Sequence, residues 1–142
     1  MKNREEVSKS ILVQHQLKIT SFRLKLMEVL QLAEGPISAA QIQLELLNKK
    51  FRNFDRATLF RNLKSMEQAG LLESTEFGQG AHFYYLKKAK GPHEHHVFCI
   101  KCEKTQPIKG CGAKASIEKA QEQGYQVLSH RVELMGICPE CA

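Results

Sequence analysis

The sequence lacks any hydrophobic run that approaches the ~18 residues needed to cross a membrane. Its opening stretch, MKNREEVSKS, is polar and lacks the apolar segment of a secretory signal. Internal repeats and low-complexity tracts are also absent. We therefore expect a cytoplasmic protein without membrane contact. In that reducing compartment, cysteines in C-x2-C pairs hold a metal more often than they form disulfides.

Two catalytic metal motifs are missing as well. The stretch HEHH (93–96) is not H-E-x-x-H, because Val97 occupies the position of the second histidine. The zinc deaminase pattern asks for H-x-E and P-C-x-x-C, but no glutamate stands two residues after His93. A proline occurs at Pro139, but it lies inside a cysteine pair instead of directly before it. We therefore expect no enzymatic activity and no small organic substrate.

Acidic residues are too few to balance the basic ones, and the formal net charge is +6. The whole excess lies in residues 1–90, because residues 91–142 contain equal numbers of basic and acidic side chains. This asymmetry predicts an anionic partner for the first two thirds of the chain, with nucleic acid as the first candidate. An ordinary solvated basic surface is the alternative.

The first two thirds of the chain show the pattern of four helices followed by two strands. Apolar residues recur at helical spacing, and capping residues and glycines mark the ends. The first expected helix covers residues 4–16, and the second is capped by Thr20 or Ser21 and ends at Gly35. The third begins with the capping box of Ser38 and Gln41, and the fourth runs from the cap Asp55 to Gly70. LLESTEF-GQG-AHFYYL reads as two strands around a glycine turn. This order predicts a winged helix-turn-helix.

The last third of the chain reads as a separate small domain. KKAKGP (87–92) combines charge, glycine and proline, which is typical of a hinge, so we expect domains at 1–86 and 93–142. Beyond it, HHVFCIKC and TQPIKG look extended, and AKASIEKAQEQG is a short helix that ends at Gly124. YQVLSHRVELMG is strand-like around a turn at Ser129–His130. About 50 residues with few large apolar side chains are not expected to fold well unaided.

Two C-x2-C pairs lie in this last third, Cys99/Cys102 and Cys138/Cys141. Two intervening residues let a tight turn direct both sulfurs at one ion, and two such pairs complete a tetrahedral shell of four thiolates. No position is left for water, so the sequence predicts a structural zinc ion that holds up a domain with a small core. A redox C-x2-C, an iron–sulfur centre and unconnected thiols are the alternatives.

A histidine cluster before the first cysteine pair predicts a second metal site. Alternate side chains of an extended segment project to opposite sides, which gives two candidate ligand sets, His93 with His95 and Glu94 with His96. His130 can approach the first set, and His82, on the second wing strand, can approach the other. The alternative is a solvated histidine-rich loop, with His82 and His130 as structural histidines.

A fifth cysteine, Cys111, belongs to neither C-x2-C pair. A free cysteine often behaves as a small buried hydrophobe. The position of Cys111 between the first pair and the short helix also suits a thiolate ligand. The sequence leaves both interpretations open.

The fourth predicted helix carries the candidate DNA-reading surface. Leu59, Leu63 and Met66 define its buried side. The residues that face away or lie on the flanks are Ala57, Thr58, Phe60, Arg61, Lys64 and Ser65. Such a small, polar, basic face suits the major groove, where Arg61 can bond a guanine edge and an exposed Phe60 can press on a thymine methyl. The alternatives are a solvated helix face and a core position for Phe60.

A second basic group surrounds the start of the second predicted helix. Its members are Lys18, Thr20 and Arg23. These side chains can bind backbone phosphates or reach the minor groove, which would steepen the salt dependence of DNA binding without choosing the sequence.

Five stretches stand in a fixed order along the chain, namely LKITSFR, ISAAQI, RATLFRNLKSMEQAGLL, HEHHVFCIKCEK and SHRVELMGICPEC. In this order they resemble the motifs of the ferric uptake regulator (Fur) superfamily of metal-dependent bacterial repressors, over essentially the whole chain. The resemblance implies an α+β protein with an N-terminal winged helix-turn-helix domain, a hinge and a small C-terminal α/β dimerisation domain. It also implies a structural Zn²⁺ held by the four paired cysteines, Cys99, Cys102, Cys138 and Cys141.

The resemblance further implies a regulatory divalent metal, whose binding lets a homodimer repress metal-uptake or stress genes at a double-stranded DNA operator. By position, the family's regulatory ligands in the dimerisation domain match His93, His95 and His130. The family's glutamate ligand falls near positions 111–114, where no carboxylate occurs, so Cys111 is the natural substitute and Glu118 a poorer one. A thiolate with imidazoles favours Zn²⁺ over Fe²⁺ as the sensed ion. A peroxide-sensing repressor of the same fold and a zinc-binding interaction protein without DNA binding are the alternatives.

The sequence departs from the family pattern at the other site, at the hinge, whose ligands match Glu94 and His96. There the family's acidic ligand aligns with Tyr85, and a histidine aligns with Pro36. The hinge site is therefore either lost or rebuilt, with His82 as the replacement. Two further departures are Phe60 in place of the recognition tyrosine and Glu103 in place of the glycine after the first cysteine pair.

Overall fold

The computed structural model describes residues 3–77, 80, 82–87 and 95–142 of the chain. The chain divides into two compact units, Met1–Lys87 and Lys88–Ala142, and the boundary falls inside the segment predicted as a hinge. No helix in the described part of the chain is long and apolar enough to span a bilayer.

Unit 1 contains four helices and a small sheet. The helices are α1 (Arg4–Gln14), α2 (Ser21–Leu32), α3 (Ala39–Asn48) and α4 (Arg56–Gln68). The strands are β1 (Ile37–Ser38), β2 (Leu72–Glu76) and β3 (His82–Leu86), in the antiparallel order β1-β3-β2. β2 and β3 form the wing hairpin, in register from Leu72 opposite Leu86 to Glu76 opposite His82.

Short polar residues begin three of these helices, because their side chains satisfy backbone N–H groups that the first turn leaves unpaired. Thr20 accepts from the N–H of Arg23 at 3.2 Å, and Asp55 accepts from the N–H of Thr58 at 2.7 Å. The hydrogen bonds to Thr58 lower the pKa of Asp55. Ser38 and Gln41 form a reciprocal capping box. The caps therefore set where α2, α3 and α4 start.

The helices of unit 1 bury one hydrophobic core, which fixes the orientation of α4. The fully buried side chains include Leu12, Leu26, Met27, Ile42, Leu46, Leu59, Leu63 and Met66. Three of these lie on α4 at helical spacing, so burying them turns the opposite side of α4 towards solvent. Gly70, with a φ of 80°, follows α4 and lets the chain turn into the wing.

Unit 2 contains a three-stranded sheet and one helix. Its strands are β4 (His95–Cys99), β5 (Thr105–Ile108) and β6 (Leu134–Gly136), and its helix is α5 (Lys114–Glu122). The sheet order is β5-β4-β6, with β4 antiparallel to β5 and parallel to β6. Among the described residues of this unit, Phe98 and Cys99 are the buried hydrophobic side chains. So small a core provides little stability by itself.

Three predicted boundaries are wrong. α1 ends at Gln14 instead of residue 16, because Gln16 takes a left-handed φ of 58°. α2 ends at Leu32 instead of Gly35, since Ala33 already adopts extended backbone on the way to β1. The predicted strand over 125–136 is reduced to Leu134–Gly136, because β4 offers β6 only three residues of pairing, Val97–Cys99.

Candidate metal centres and nucleic-acid surface

The parallel pairing of β4 with β6 brings the two cysteine pairs together. Cys99 ends β4 opposite Gly136, which ends β6. Cys102 follows β4 by three residues, and Cys138 and Cys141 follow β6. Parallel strands end at the same edge of a sheet, so both turns deliver their sulfurs to one place. All five cysteines of the chain are free thiols, and the four paired ones form this cluster.

The sulfur positions fit a tetrahedral zinc ion. The four Sγ atoms lie within 4.8 Å of one another, and Cys102 and Cys138 are 3.7 Å apart. Zn–S bonds of ~2.3 Å at tetrahedral angles place neighbouring sulfurs about 3.8 Å apart. The donor set and its spacing therefore suit a closed four-thiolate site.

Backbone N–H groups stabilise the thiolate form of one cysteine in this cluster. The N–H groups of Cys102 and Cys138 donate towards Cys99 and lower the pKa of its thiol to about 6, and the Cys138 N···Sγ distance is 3.3 Å. In contrast, hydrogen bonding to the sulfurs of Cys138 and Cys102 raises the pKa of Cys141 to about 12. The Cys141 thiol therefore stays protonated by itself at neutral pH, whereas a bound cation favours the thiolate form of a ligand cysteine.

The turn after the first cysteine pair has a strained residue. The N–H of Glu103 donates to the carbonyl of Cys99 at 2.9 Å, which closes the turn. This geometry places Glu103 at a φ of 61°, in the left-handed region that favours glycine. The glycine that the family pattern carries at this position is explained by the same requirement.

A second cluster consists of His95, Cys111 and His130. The Cys111 Sγ lies 3.4 Å from His95 Nε2 and 3.3 Å from His130 Nε2. The two imidazole rings are 5.4 Å apart between centroids, at 62°. His95 begins β4, Cys111 lies in the turn before α5, and His130 precedes β6, so three separate segments supply the donors.

The donor geometry of the second cluster also fits zinc. Tetrahedral Zn–N bonds of ~2.05 Å and Zn–S bonds of ~2.3 Å place the nitrogen and sulfur about 3.5 Å apart, close to both observed separations. The described residues supply three donors. His93 and Glu94, which the sequence adds to the candidate ligands, lie outside the described residues.

The remaining candidate ligands occupy other places. His96 stands opposite Pro107 in the β4–β5 pairing, and among the described residues it joins neither donor cluster. His82 lies on the wing, where its Nε2 is 3.3 Å from the Glu76 carboxylate. Its predicted role in a rebuilt hinge site remains a prediction.

Two residues of unit 1 occupy positions of the family's hinge ligands without offering a comparable donor. Pro36 is buried and has no side-chain donor atom. The hydroxyl of Tyr85 donates to Glu73 at 2.7 Å. Burial, and then this contact with Glu73, raise the pKa of Tyr85, so it remains a neutral phenol at neutral pH.

The exposed side of α4 displays the predicted DNA-reading residues. Ala57, Phe60, Arg61 and Lys64 are exposed, whereas Thr58 and Ser65 are half-buried. Phe60 is 39% exposed and lies 5.7 Å beneath the Arg56 guanidinium, so it belongs to the outer face and not to the core. The Arg61 Nη2 is 3.4 Å from the Thr58 hydroxyl. The face is therefore small, aromatic and basic.

The second basic group is partly engaged within the protein. Lys18 is exposed in the loop before α2. The Thr20 hydroxyl oxygen accepts the N-cap hydrogen bond of α2. Arg23 Nε donates to Asn62 Oδ1 at 3.0 Å, and Arg23 Nη1 donates to the Lys18 carbonyl at 2.8 Å. Asn62 is not among the residues predicted from the sequence, and no local sequence signal marks its contact with Arg23.

A sequence model described as the ferric uptake regulator family matches residues 14–135. The chain belongs to the ferric uptake regulator family. A ferric uptake regulation protein of Neisseria meningitidis is 33% identical over 127 residues, which covers 88% of this chain and 86% of the relative. The identification from the five motifs is confirmed.

Solved structures of ferric uptake regulators share the fold. The Vibrio cholerae ferric uptake regulator matches with a TM-score of 0.79 and 26% identity, covering 92% of this chain and 98% of that one. The Helicobacter pylori ferric uptake regulator, described as having three functional metal binding sites, matches with a TM-score of 0.76 and 20% identity, over 99% and 97% of the chains. The predicted fold class, a winged helix-turn-helix followed by a small α/β unit, is confirmed.

Membership of the ferric uptake regulator family settles the broad class of function. Proteins of this family are metal-responsive transcription regulators and not enzymes. The prediction that this protein is not an enzyme is therefore confirmed by its family membership.

Proposed function

We propose that this protein is a zinc-responsive repressor that binds operator DNA as a homodimer and controls metal-uptake genes. The observation that carries the proposal is the convergence of His95 Nε2, Cys111 Sγ and His130 Nε2 at 3.3–3.4 Å. This cluster holds the regulatory ion, and the four-cysteine cluster holds a structural one.

The donor chemistry supports zinc as the regulatory ion. Thiolate is a soft ligand that suits Zn²⁺, whereas Fe²⁺ and Mn²⁺ sites are richer in carboxylate and other oxygen donors. In the part of unit 2 that the structure describes, no carboxylate joins the second cluster. The Neisseria relative is described as a regulator of ferric uptake. Cys111 is the reason to assign a different ion to this chain.

The two clusters suit different tasks. Four thiolates close the coordination shell and hold zinc permanently. The second cluster draws its three donors from β4, a turn and the segment before β6, with a single thiolate among them. Fewer thiolates and longer connections make its ion easier to exchange, as a sensor of supply requires.

Homodimer formation is supported by the surface of unit 2. Large apolar side chains are exposed on it, including Tyr125, Leu128, Met135 and Ile137, at 49–87% exposure. A unit with so few buried residues gains stability when a second copy covers apolar surface. A dimer also presents two recognition helices to two half-sites of an operator.

The regulatory ion acts next to the predicted hinge. His95 is the third residue after the segment 87–92, so a metal bound to its imidazole restrains the chain where that segment ends. Restricting this point favours one spacing of the two DNA-binding units of the dimer. Moving the population from 1:99 to 99:1 requires the ion to favour that state by ~5.5 kcal/mol.

We expect DNA binding to depend on exchangeable zinc. The zinc-loaded protein is first used to select duplexes from a randomised pool, and the selected duplex is then titrated before and after mild chelation. The chelated protein should retain about one tightly held zinc per chain and bind the duplex at least about 100-fold more weakly, and added Zn²⁺ should restore binding. Equal affinity before and after chelation, or restoration by Fe²⁺ or Mn²⁺ but not by Zn²⁺, would contradict the proposal.

We expect Arg61→Ala to weaken operator binding without changing the metal content. A bidentate arginine contact to guanine contributes about 1–3 kcal/mol of discrimination, so the affinity should fall roughly 5- to 150-fold, and selectivity should relax at one base pair. The matched control is Lys119→Ala, which removes an exposed cation from α5. Duplex affinity and zinc content are measured for both variants. Unchanged binding by Arg61→Ala would exclude this residue from base recognition.

A further inference from the structure

A chain of hydrogen bonds connects three segments of unit 1 that are distant in sequence. Arg23, in the first turn of α2, donates through Nη1 to the carbonyl of Lys18 in the preceding loop. The same side chain donates through Nε to Asn62 of α4, which is 39 residues further along the chain. Arg23 thereby joins the loop that carries Lys18 to the helix that carries Arg61.

The amide of Asn62 has a defined orientation in this chain of hydrogen bonds. Its Oδ1 accepts from Arg23 Nε at 3.0 Å, and its Nδ2 donates to the Thr58 carbonyl at 2.8 Å. Arginine Nε only donates and a carbonyl oxygen only accepts, so exchanging the amide oxygen and nitrogen would break both bonds. Asn62 is therefore bound from both sides in one orientation.

The residue that receives the second bond lies at the start of the DNA-reading face. Thr58 donates its N–H to the cap Asp55 at 2.7 Å, and its hydroxyl lies 3.4 Å from Arg61 Nη2. The hydrogen bonds thus continue from the Lys18 carbonyl through Arg23 and Asn62 to the first turn of α4. The Lys18 side chain at one end and Arg61 at the other are both exposed.

Arg23 is poorly arranged to act mainly as a phosphate ligand. The single hydrogen of its Nε is directed at Asn62, and Nη1 is directed at a backbone carbonyl. Arginine recognises phosphate best through two parallel N–H groups at one edge of the guanidinium. Here the edge formed by Nε and the edge formed by Nη1 are each partly used inside the protein.

We propose that Arg23 and Asn62 are positioning residues that hold the Lys18 loop and α4 at the separation at which both contact one duplex. The inference rests on the proposed function, because it assigns how the DNA surface is assembled. Recognition groups must be held to within about 0.5 Å of the productive geometry, and a fixed arginine–asparagine contact supplies that restraint. Without it, the loop and the helix meet the duplex in register only part of the time, which lowers the apparent affinity.

The first test is a double-mutant cycle on operator binding by the zinc-loaded full chain. Arg23→Ala and Asn62→Ala should each weaken binding about tenfold, and the double variant should be no weaker than either, since both remove the same restraint. The slope of log affinity against log salt should not change, because no phosphate contact is lost. Additive losses, or a slope reduced by about 1 in Arg23→Ala alone, would show a direct phosphate contact instead.

A charge-preserving variant separates the two roles further. Arg23→Lys keeps the cation but cannot bond Asn62 and the Lys18 carbonyl together in the geometry of a guanidinium. We expect it to bind the operator as weakly as Arg23→Ala. Recovery of wild-type affinity by lysine would overturn the positioning role.

A measurement without DNA distinguishes a failure of this inference from a failure of the proposed function. Amide hydrogen exchange at residues 23 and 24, whose N–H groups donate to Thr20 at the end of the loop, should accelerate in both Arg23→Ala and Asn62→Ala, while exchange of the buried α4 core around Leu63 should stay slow. Unchanged exchange at residues 23 and 24 in Asn62→Ala would refute the inference, whatever the protein binds. Failure of the wild-type protein to bind any selected duplex, with this exchange altered as expected, would refute only the proposed function.

Discussion

Cys138→Ser is expected to abolish the structural zinc site and unfold unit 2. Serine removes one of the four sulfurs, the one that lies 3.7 Å from Cys102. Unit 2 has few other sources of stability, because its described part buries only two hydrophobic side chains, Phe98 and Cys99. Structural zinc sites contribute an apparent ~10 kcal/mol or more, comparable to the whole stability of a small domain.

The measurements for Cys138→Ser are the zinc content of the purified protein and residue-level hydrogen exchange. We expect about one zinc fewer per chain, loss of protection across β4, β5 and β6, and retained protection in the helices of unit 1. Cys111→Ser is the matched control, because the same exchange of sulfur for oxygen falls outside the four-cysteine cluster. A folded unit 2 in a zinc-free Cys138→Ser protein would contradict the assignment.

Cys111→Ala is expected to produce the largest change in the metal response. It removes the only thiolate from the second cluster, and with it the sulfur that both imidazoles contact. Mutating a hydrogen-bond partner of a metal ligand already lowers metal affinity about 10- to 100-fold. Loss of a ligand itself should therefore raise the zinc concentration needed for operator binding by about 100-fold or more. The measurement is duplex binding in zinc-buffered solution.

Three further variants, Cys111→Asp, His130→Ala and the control His15→Ala, test the second cluster. Cys111→Asp replaces sulfur with an oxygen donor, which should weaken the response to Zn²⁺ and strengthen that to Fe²⁺ or Mn²⁺. His15→Ala is the histidine control for His130→Ala, because the His15 ring, directly after α1, donates to the Ile11 carbonyl at 2.8 Å and lies outside both clusters. A normal zinc response in both Cys111→Ala and His130→Ala would refute the assignment of the regulatory site.

Features that depend on near neighbours in the chain could be predicted from the sequence. The capping box of Ser38 and Gln41 and the cap at Asp55 involve residues three apart, and both form as expected. The fold class followed from the order of the motifs and is confirmed. The pairing of two C-x2-C turns was suggested by their matched spacing alone, although their meeting depends on the parallel contact of β4 with β6.

Features that depend on tertiary pairing were predicted poorly. Residues 125–136 were predicted to be strand-like around a turn at Ser129–His130, but β6 pairs with only three residues of β4. The bond between Arg23 and Asn62 spans 39 positions, and no local pattern marks it. The prediction of Arg23 as a phosphate ligand rests on its charge, which is visible in the sequence, whereas its bond to Asn62 is not.

The short strand β4 carries one residue of each donor cluster at its two ends, His95 at its start and Cys99 at its end. Four residue steps at ~3.3 Å each separate them by only about 13 Å. In the proposed function, one end is anchored by the structural ion, and the other is released or secured as the exchangeable ion dissociates or binds. Zinc starvation should consequently loosen the protein from its hinge-proximal end, with the cysteine end of the same strand acting as a fixed pivot.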